Sequence, residues 1–310
     1  MVPDREPAGP RPYAAFGWQG IALTVPSSWD LVYVSGDRRR GEVRLADREA
    51  VRLVARWDRS GGNRPVAQVL DAHISRVTKQ ARKAGHSLTV QRDLKLASPP
   101  GKEVQSYRWE ADAQGVAMLS RCAECGSTVH LQLTGRRDEG LKGLARTVFS
   151  SLRDHASDGT TWSFLDVEFR VPAGFELHRR VLQAGCVRMT FRGGRARLEF
   201  VRAAMAQVLL AKRELGDWFR EFYARQLKRR TYSLRPGNVK GHPAVEVEGR
   251  PWRWLNPLAA FGRRRVLRGA CWHCEASNRL LICCLDGPAR HEALLKDAVD
   301  SFRCCAAAGR

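Results

Sequence analysis

Trp18-Gln-Gly-Ile-Ala-Leu-Thr-Val-Pro-Ser-Ser-Trp29 and Phe164-Leu-Asp-Val-Glu-Phe-Arg-Val-Pro-Ala-Gly-Phe175 are the two stretches on which the fold turns. Each opens on an aromatic residue, alternates apolar positions, and closes on Val-Pro, two small residues and a second aromatic. Alternation of this kind is the mark of a half-buried strand, and Pro26 and Pro172 end it because proline has no N–H for the ladder. The stretches lie 146 residues apart. Two further markers follow in the same order at nearly the same spacing. Cys122-Ala-Glu-Cys125 matches Cys271-Trp-His-Cys274, and Ser151-Leu152-Arg153 matches Ser301-Phe302-Arg303. The chain therefore reads as two diverged copies of one unit in tandem. Residues 1–16, rich in proline and charge, read as a disordered tail, residues 17–157 as the first repeat and residues 160–306 as the second.

Both copies predict the same order of elements. In the first, strands are expected near 21–25, 29–34, 42–45 and 51–57. A helix opens at Pro65 and runs to about Ala84, with Val66, Val69, Leu70, Ile74 and Val77 on one stripe. Strands return at 88–96, 103–109, 115–121 and 128–133, and a helix over 139–152 closes the copy. In the second, strands are expected near 167–171, 175–181, 187–191 and 196–201. A helix over 215–229 and strands near 244–248, 266–270 and 279–285 follow, with a final helix over 289–302. Runs of strands joined by short turns imply α+β domains, each a mostly antiparallel sheet covered by helices.

This order resembles the PsbP-like fold, shared by the PsbP extrinsic photosystem subunits, the Mog-type Ran-binding proteins and small bacterial proteins. The resemblance rests on Val25-Pro26, Val171-Pro172 and the closing-helix end Asp300-Ser301-Phe302, and covers roughly residues 17–155 and 160–305. It implies a PsbP-like sandwich that works through binding surfaces rather than catalysis, with no catalytic residues to carry over. The Cys-x-x-Cys pairs depart from that pattern.

Those pairs carry the sharpest chemistry. Zinc takes four soft ligands in a tetrahedron, and a Cys-x-x-Cys turn supplies two. Each pair is expected at a turn between two strands, with Gly126 easing the first. Cys122, Cys125, Cys271 and Cys274 together are expected to hold one structural zinc joining the repeats. Other readings are a dithiol redox pair, inert packing or an isolated disulfide, and separate ions completed by His130 or His273. The redox reading lacks the helix start that lowers a thiol pKa, since strand-like sequence follows each pair. Cys186, Cys283 and Cys284 read as core residues or unassigned thiols. Cys304 and Cys305 read as exposed thiols at a helix end, with a second metal role as the alternative.

The chain has 310 residues and a net charge of +21. Such a charge favours an acidic protein or nucleic acid as partner, but arginine outnumbers lysine 44 to 9, as GC-rich codon usage would also leave it. A segment from Arg250 to Arg265 is inserted in the second copy. Its Trp252, Arg253, Trp254, Phe261, Arg263, Arg264 and Arg265 form a candidate partner-docking arm. Neither a phosphate loop, a nucleophile elbow nor a zinc-protease motif is present, so no catalytic residue is nominated. Without a secretory leader or an apolar run of spanning length, the expected compartment is the cytoplasm.

Overall fold

The computed structural model describes residues 12–62, 64–96, 98–154, 159–252 and 265–305. They fall into two compact units, Met1–Ala156 with Ser163–Leu165, and Ser157–Trp162 with Asp166–Arg310.

In the first unit, β1 (Tyr13–Trp18) and β2 (Ile21–Pro26) form a hairpin in register Tyr13↔Pro26. Gln19 and Gly20 turn it with positive φ at both positions, the two-residue connection whose twist matches paired strands. Ile21, Leu23 and Val25 are buried, as alternation required. Residues 13–16, assigned to the tail on composition, are strand instead, because pairing along β2 supplies the order that their composition does not.

The remaining strands make one antiparallel sheet in the order β3-β4-β5-β9-β8-β7-β6. They are β3 (Asp30–Gly36), β4 (Arg40–Ala46), β5 (Val51–Asp58), β6 (Thr89–Arg92), β7 (Lys102–Glu110), β8 (Gln114–Cys122) and β9 (Thr128–Gly135). Helix α1 (Val66–Lys83) buries Val66, Leu70 and Ile74 against Tyr107, Ala117 and Leu119. Val116 and Met118 are buried as well, so β8 is enclosed on both faces. Helix α2 (Leu141–Ser150) packs on β2, β8 and β9 through Leu141, Ala145, Val148 and Phe149.

The second unit opens with β10 (Gly159–Phe164) and β11 (Val167–Pro172). Its seven-stranded antiparallel sheet runs β12-β13-β14-β18-β17-β16-β15, which is the order of the first sheet. The strands are β12 (Glu176–Gln183), β13 (Cys186–Gly193), β14 (Ala196–Ala204), β15 (Arg230–Val239), β16 (His242–Pro251), β17 (Arg265–Cys274) and β18 (Arg279–Pro288). Helices are α3 (Ala206–Leu209), α4 (Leu215–Phe222), α5 (Ala224–Leu227) and α6 (Glu292–Ser301). Trp218, Phe219, Tyr223 and Leu227 bury themselves against Val247, Cys271, Ile282 and Cys284 of the sheet. The single helix expected over 215–229 is broken at Tyr223, whose hydroxyl donates to the buried Glu199 at 2.5 Å. The two units are thus large antiparallel sheets with few helices. No described helix is long and apolar enough to cross a membrane.

Candidate metal centre

The ladder between β17 and β18 continues to Cys274↔Arg279 and turns only at Glu275–Ser277, with Asn278 in the left-handed region at φ 51°. The second Cys-x-x-Cys pair therefore lies within a strand and not at a turn, which corrects the expectation. Residues three apart on a strand face opposite ways. Cys271 enters the apolar cluster with Ile282 and Cys284, and burial pushes its thiol well above its usual range. Cys274, on the other face, cannot share an ion with it. Replacing Cys271 with Val is accordingly expected to cost about 1 kcal/mol or less in urea unfolding.

Cys274 instead meets residues that are distant in sequence. His242 Nε2, Cys274 Sγ, Cys304 Sγ and Cys305 Sγ all lie within 4.8 Å of one another. The separations His242 Nε2–Cys304 Sγ and His242 Nε2–Cys305 Sγ are 3.4 and 3.8 Å. A zinc ion with Zn–S of ~2.3 Å and Zn–N of ~2.0 Å sets sulfur and nitrogen ~3.5 Å apart across a tetrahedral edge. The donors fit that requirement in kind and number, and these two separations are close to such an edge.

The fold accounts for each position. His242 opens β16, and the register Ala244↔Trp272, continued by two residues, sets it opposite Cys274. Beyond α6, Phe302 is buried against Phe169, Phe200 and Trp272. Arg303 then exchanges both backbone hydrogen bonds with Glu168, at 2.7 and 2.9 Å. Pinned at both residues, the chain delivers Cys304 and Cys305 to the end of β17. Cys304 is buried rather than an exposed thiol. Burial, with Cys274 beside it, pushes its pKa up to about 12. The sequence signals available were Asn278, a turn residue past the motif, and the Gly241-His242 start of a strand.

The first unit has a different group at the same place. Lys102 opens β7 and lies opposite Cys122 in register, as His242 lies opposite Cys274. Asp154 follows Arg153, which bridges to Ala22 of β2 as Arg303 bridges to Glu168 of β11. Lys102, Cys122 and Asp154 thus stand where His242, Cys274 and Cys304 stand in the second unit. Here the place is filled by an ion pair, Lys102 Nζ to Asp154 Oδ1 at 2.7 Å, with both side chains under 5% exposed. Ser127 donates to Asp154 Oδ2 at 2.8 Å, and the Cys125 thiol donates to Ser127 Oγ at 3.1 Å. Cys122, Cys125 and Asp154 also lie within 4.8 Å of one another. Burial opposes ionisation of Cys125, but its hydrogen bonding with Ser127, backbone included, and with Cys122 outweighs it and lowers its pKa. Gly126, at φ +66°, closes the turn by donating to the Cys122 carbonyl. The turn runs directly into β9, so no helix start stands behind either thiol.

Other sequence candidates fall elsewhere. The buried His130 pairs its Nε2 with the Tyr107 hydroxyl at 3.0 Å, and His273 joins neither cluster. In the inserted arm, Trp252 is exposed and Arg265 opens β17, paired to Asp286 at 3.1 Å. Arg253, Trp254, Phe261, Arg263 and Arg264 lie outside the described residues.

No family model matches the chain, and no curated protein matches it in sequence. Among solved structures it is similar to the Saccharomyces cerevisiae Ran-binding protein Mog1p. That likeness has 12% identity and a TM-score of 0.33, over 48% of this chain and 96% of that one. It is also similar to cyanobacterial PsbP from Synechocystis sp. PCC 6803, at 13% and 0.32, over 48% and 94%. The Pseudomonas aeruginosa T6SS immunity protein TplEi, solved with "L" peptide, is similar at 13% and 0.36, over 94% and 98%. Both types named by the sequence resemblance, PsbP and Mog, are thus among the structures found. TM-scores this low leave function to be read from the site itself.

Proposed function

We infer that this chain is a non-catalytic binding or scaffold protein whose second unit carries a structural zinc held by His242, Cys274, Cys304 and Cys305. The observation that supports this most is the convergence of one imidazole and three thiols within 4.8 Å of one another, where the corresponding place in the other unit holds a lysine–aspartate pair. One cationic group occupies that place in the first unit, and a metal ion would supply the charge in the second. Four protein ligands leave no open position for water or substrate, which is the pattern of a structural and not a catalytic zinc. The ion would tie the strand ends of β16 and β17 to the segment after α6, so its binding energy would become folding energy.

Metal analysis of the purified full chain tests the reading. About one zinc per chain is expected, absent from Cys274→Ser and from His242→Ala and retained by Cys122→Ser. Zinc-free wild-type protein would refute it. Loss of zinc in Cys122→Ser would refute it too and place the ion in the first unit, at Cys122 and Cys125.

A further inference from the structure

A cleft of about 630 Å³ opens in the second unit on the face of the sheet where α4 and α5 pack, between β12, β13 and β14 and those helices. Its two carboxylates are already committed. Glu199 is buried, accepts from Tyr223 and Thr190, and has Arg188 and Arg197 at 3.6 Å. Asp286 pairs with Arg230 at 2.9 Å and with Arg265. Five more cations, Arg179, Arg192, Arg225, Lys228 and Arg229, line the cleft, all exposed. Among the described residues none of their charged heads meets a carboxylate.

The first unit shows that overall basicity does not by itself produce this. Its corresponding cleft, beside β3, β4, β5 and α1, sets Arg39, Arg40, Arg56 and Arg76 among Asp37, Glu42 and Asp58. There Arg40 pairs with Asp58 and Arg56 with Glu42, each at 2.5 Å. Codon bias would load both clefts alike, yet one is nearly neutralised and the other is not. Like charges crowded round a concave wall repel one another and focus a field that draws anions in. Guanidinium forks match phosphate oxygens two at a time, which favours phosphate over a single diffuse charge.

We propose that this cleft binds linked phosphate groups, either the backbone of a single-stranded nucleic acid or a free polyphosphate. Arg192 at the end of β13 and Arg225 on α5 would grip successive phosphates from two sides. Arg188, stacked 4.6 Å over the Phe222 ring and near Glu199, would hold the wall in place. This is independent of the zinc reading, which concerns other residues.

The test uses the full chain and fluorescence anisotropy of a labelled single-stranded RNA of about ten nucleotides, within the span such grooves cover. Titrations run from about 50 to 200 mM salt. Arg192→Glu with Arg225→Glu is expected to weaken binding at least tenfold and to reduce the salt slope by about 1.4, two phosphate contacts' worth. Arg39→Glu with Arg76→Glu, in the other cleft, should leave binding unchanged. Inorganic tripolyphosphate at matched ionic strength separates the two sources: displacement marks the free polyphosphate, and no displacement marks the strand. Equal binding by Arg192→Glu/Arg225→Glu and wild type, binding of neither probe, or displacement by poly-glutamate as effective as by tripolyphosphate overturns the proposal.

Discussion

Lys102→Met is expected to destabilise the first unit by about 3–5 kcal/mol, because it removes the ammonium that pairs with the buried Asp154 carboxylate. For a unit of this size that is a fall of roughly 10 °C in its melting transition. The Asp154 carboxylate would keep the Ser127 hydroxyl, while Arg59 donates to the backbone oxygen of Asp154. Neutral hydrogen bonds, net about 1 kcal/mol each, do not replace the ammonium in offsetting the desolvation of an ion. Lys102→Met combined with Asp154→Leu should recover most of the loss, since a well-packed apolar pair replaces buried ions at little cost. Calorimetry on both single variants and the double variant measures the coupling. A loss below about 1 kcal/mol for Lys102→Met would mean the pair behaves like a solvated one. The correspondence between Lys102–Asp154 and the cysteine cluster would then lose its energetic basis.

How far the sequence reached is clearest strand by strand. β2, β5, β7 and β18 were legible because burial on a pleated sheet writes itself as alternation or as short apolar runs. The helix over 66–83 was legible from its stripe and from Pro65. β15 was not, since it is an edge strand with mostly exposed residues and carries Pro236 and Gly237. Proline is tolerated at an edge but reads as a turn. The cysteine–histidine cluster was half legible. Cys274 was singled out, but with Cys271, which shares its motif and not its face. The true neighbours of Cys274 are set by a strand register and by the path of the chain after α6. Neither leaves a local pattern in the sequence. The match of Cys122 to Cys271 misled for the same reason: the β17–β18 turn comes after the motif, whereas the β8–β9 turn contains it. Aligned by register, Cys122 corresponds to Cys274.

That correspondence makes a second prediction with a large effect. If the ion pair and the soft-donor cluster are alternative fillings of one place, the first filling should work in the second unit. His242→Lys with Cys304→Asp is expected to abolish zinc binding while the chain stays folded. The new ammonium and carboxylate would stand where Lys102 and Asp154 stand across β7 and the segment after α2. His242→Lys alone should also empty the site, but its ammonium would face buried sulfur with no carboxylate. At this half-buried position an unpaired charge costs part of the ~3–5 kcal/mol of a fully buried one, so this single variant should melt several degrees below the double one. Wild type treated with a chelator should fall between them, having lost the ion without gaining a charge. Zinc content and calorimetry on these three preparations and on untreated wild type separate the outcomes. Retained zinc in the double variant would show that Cys274, Cys305 and the new carboxylate bind the ion without His242. A double variant no more stable than the single would show that the place in the second unit is shaped for sulfur and cannot close around an ion pair, and the shared logic of the two units would fail.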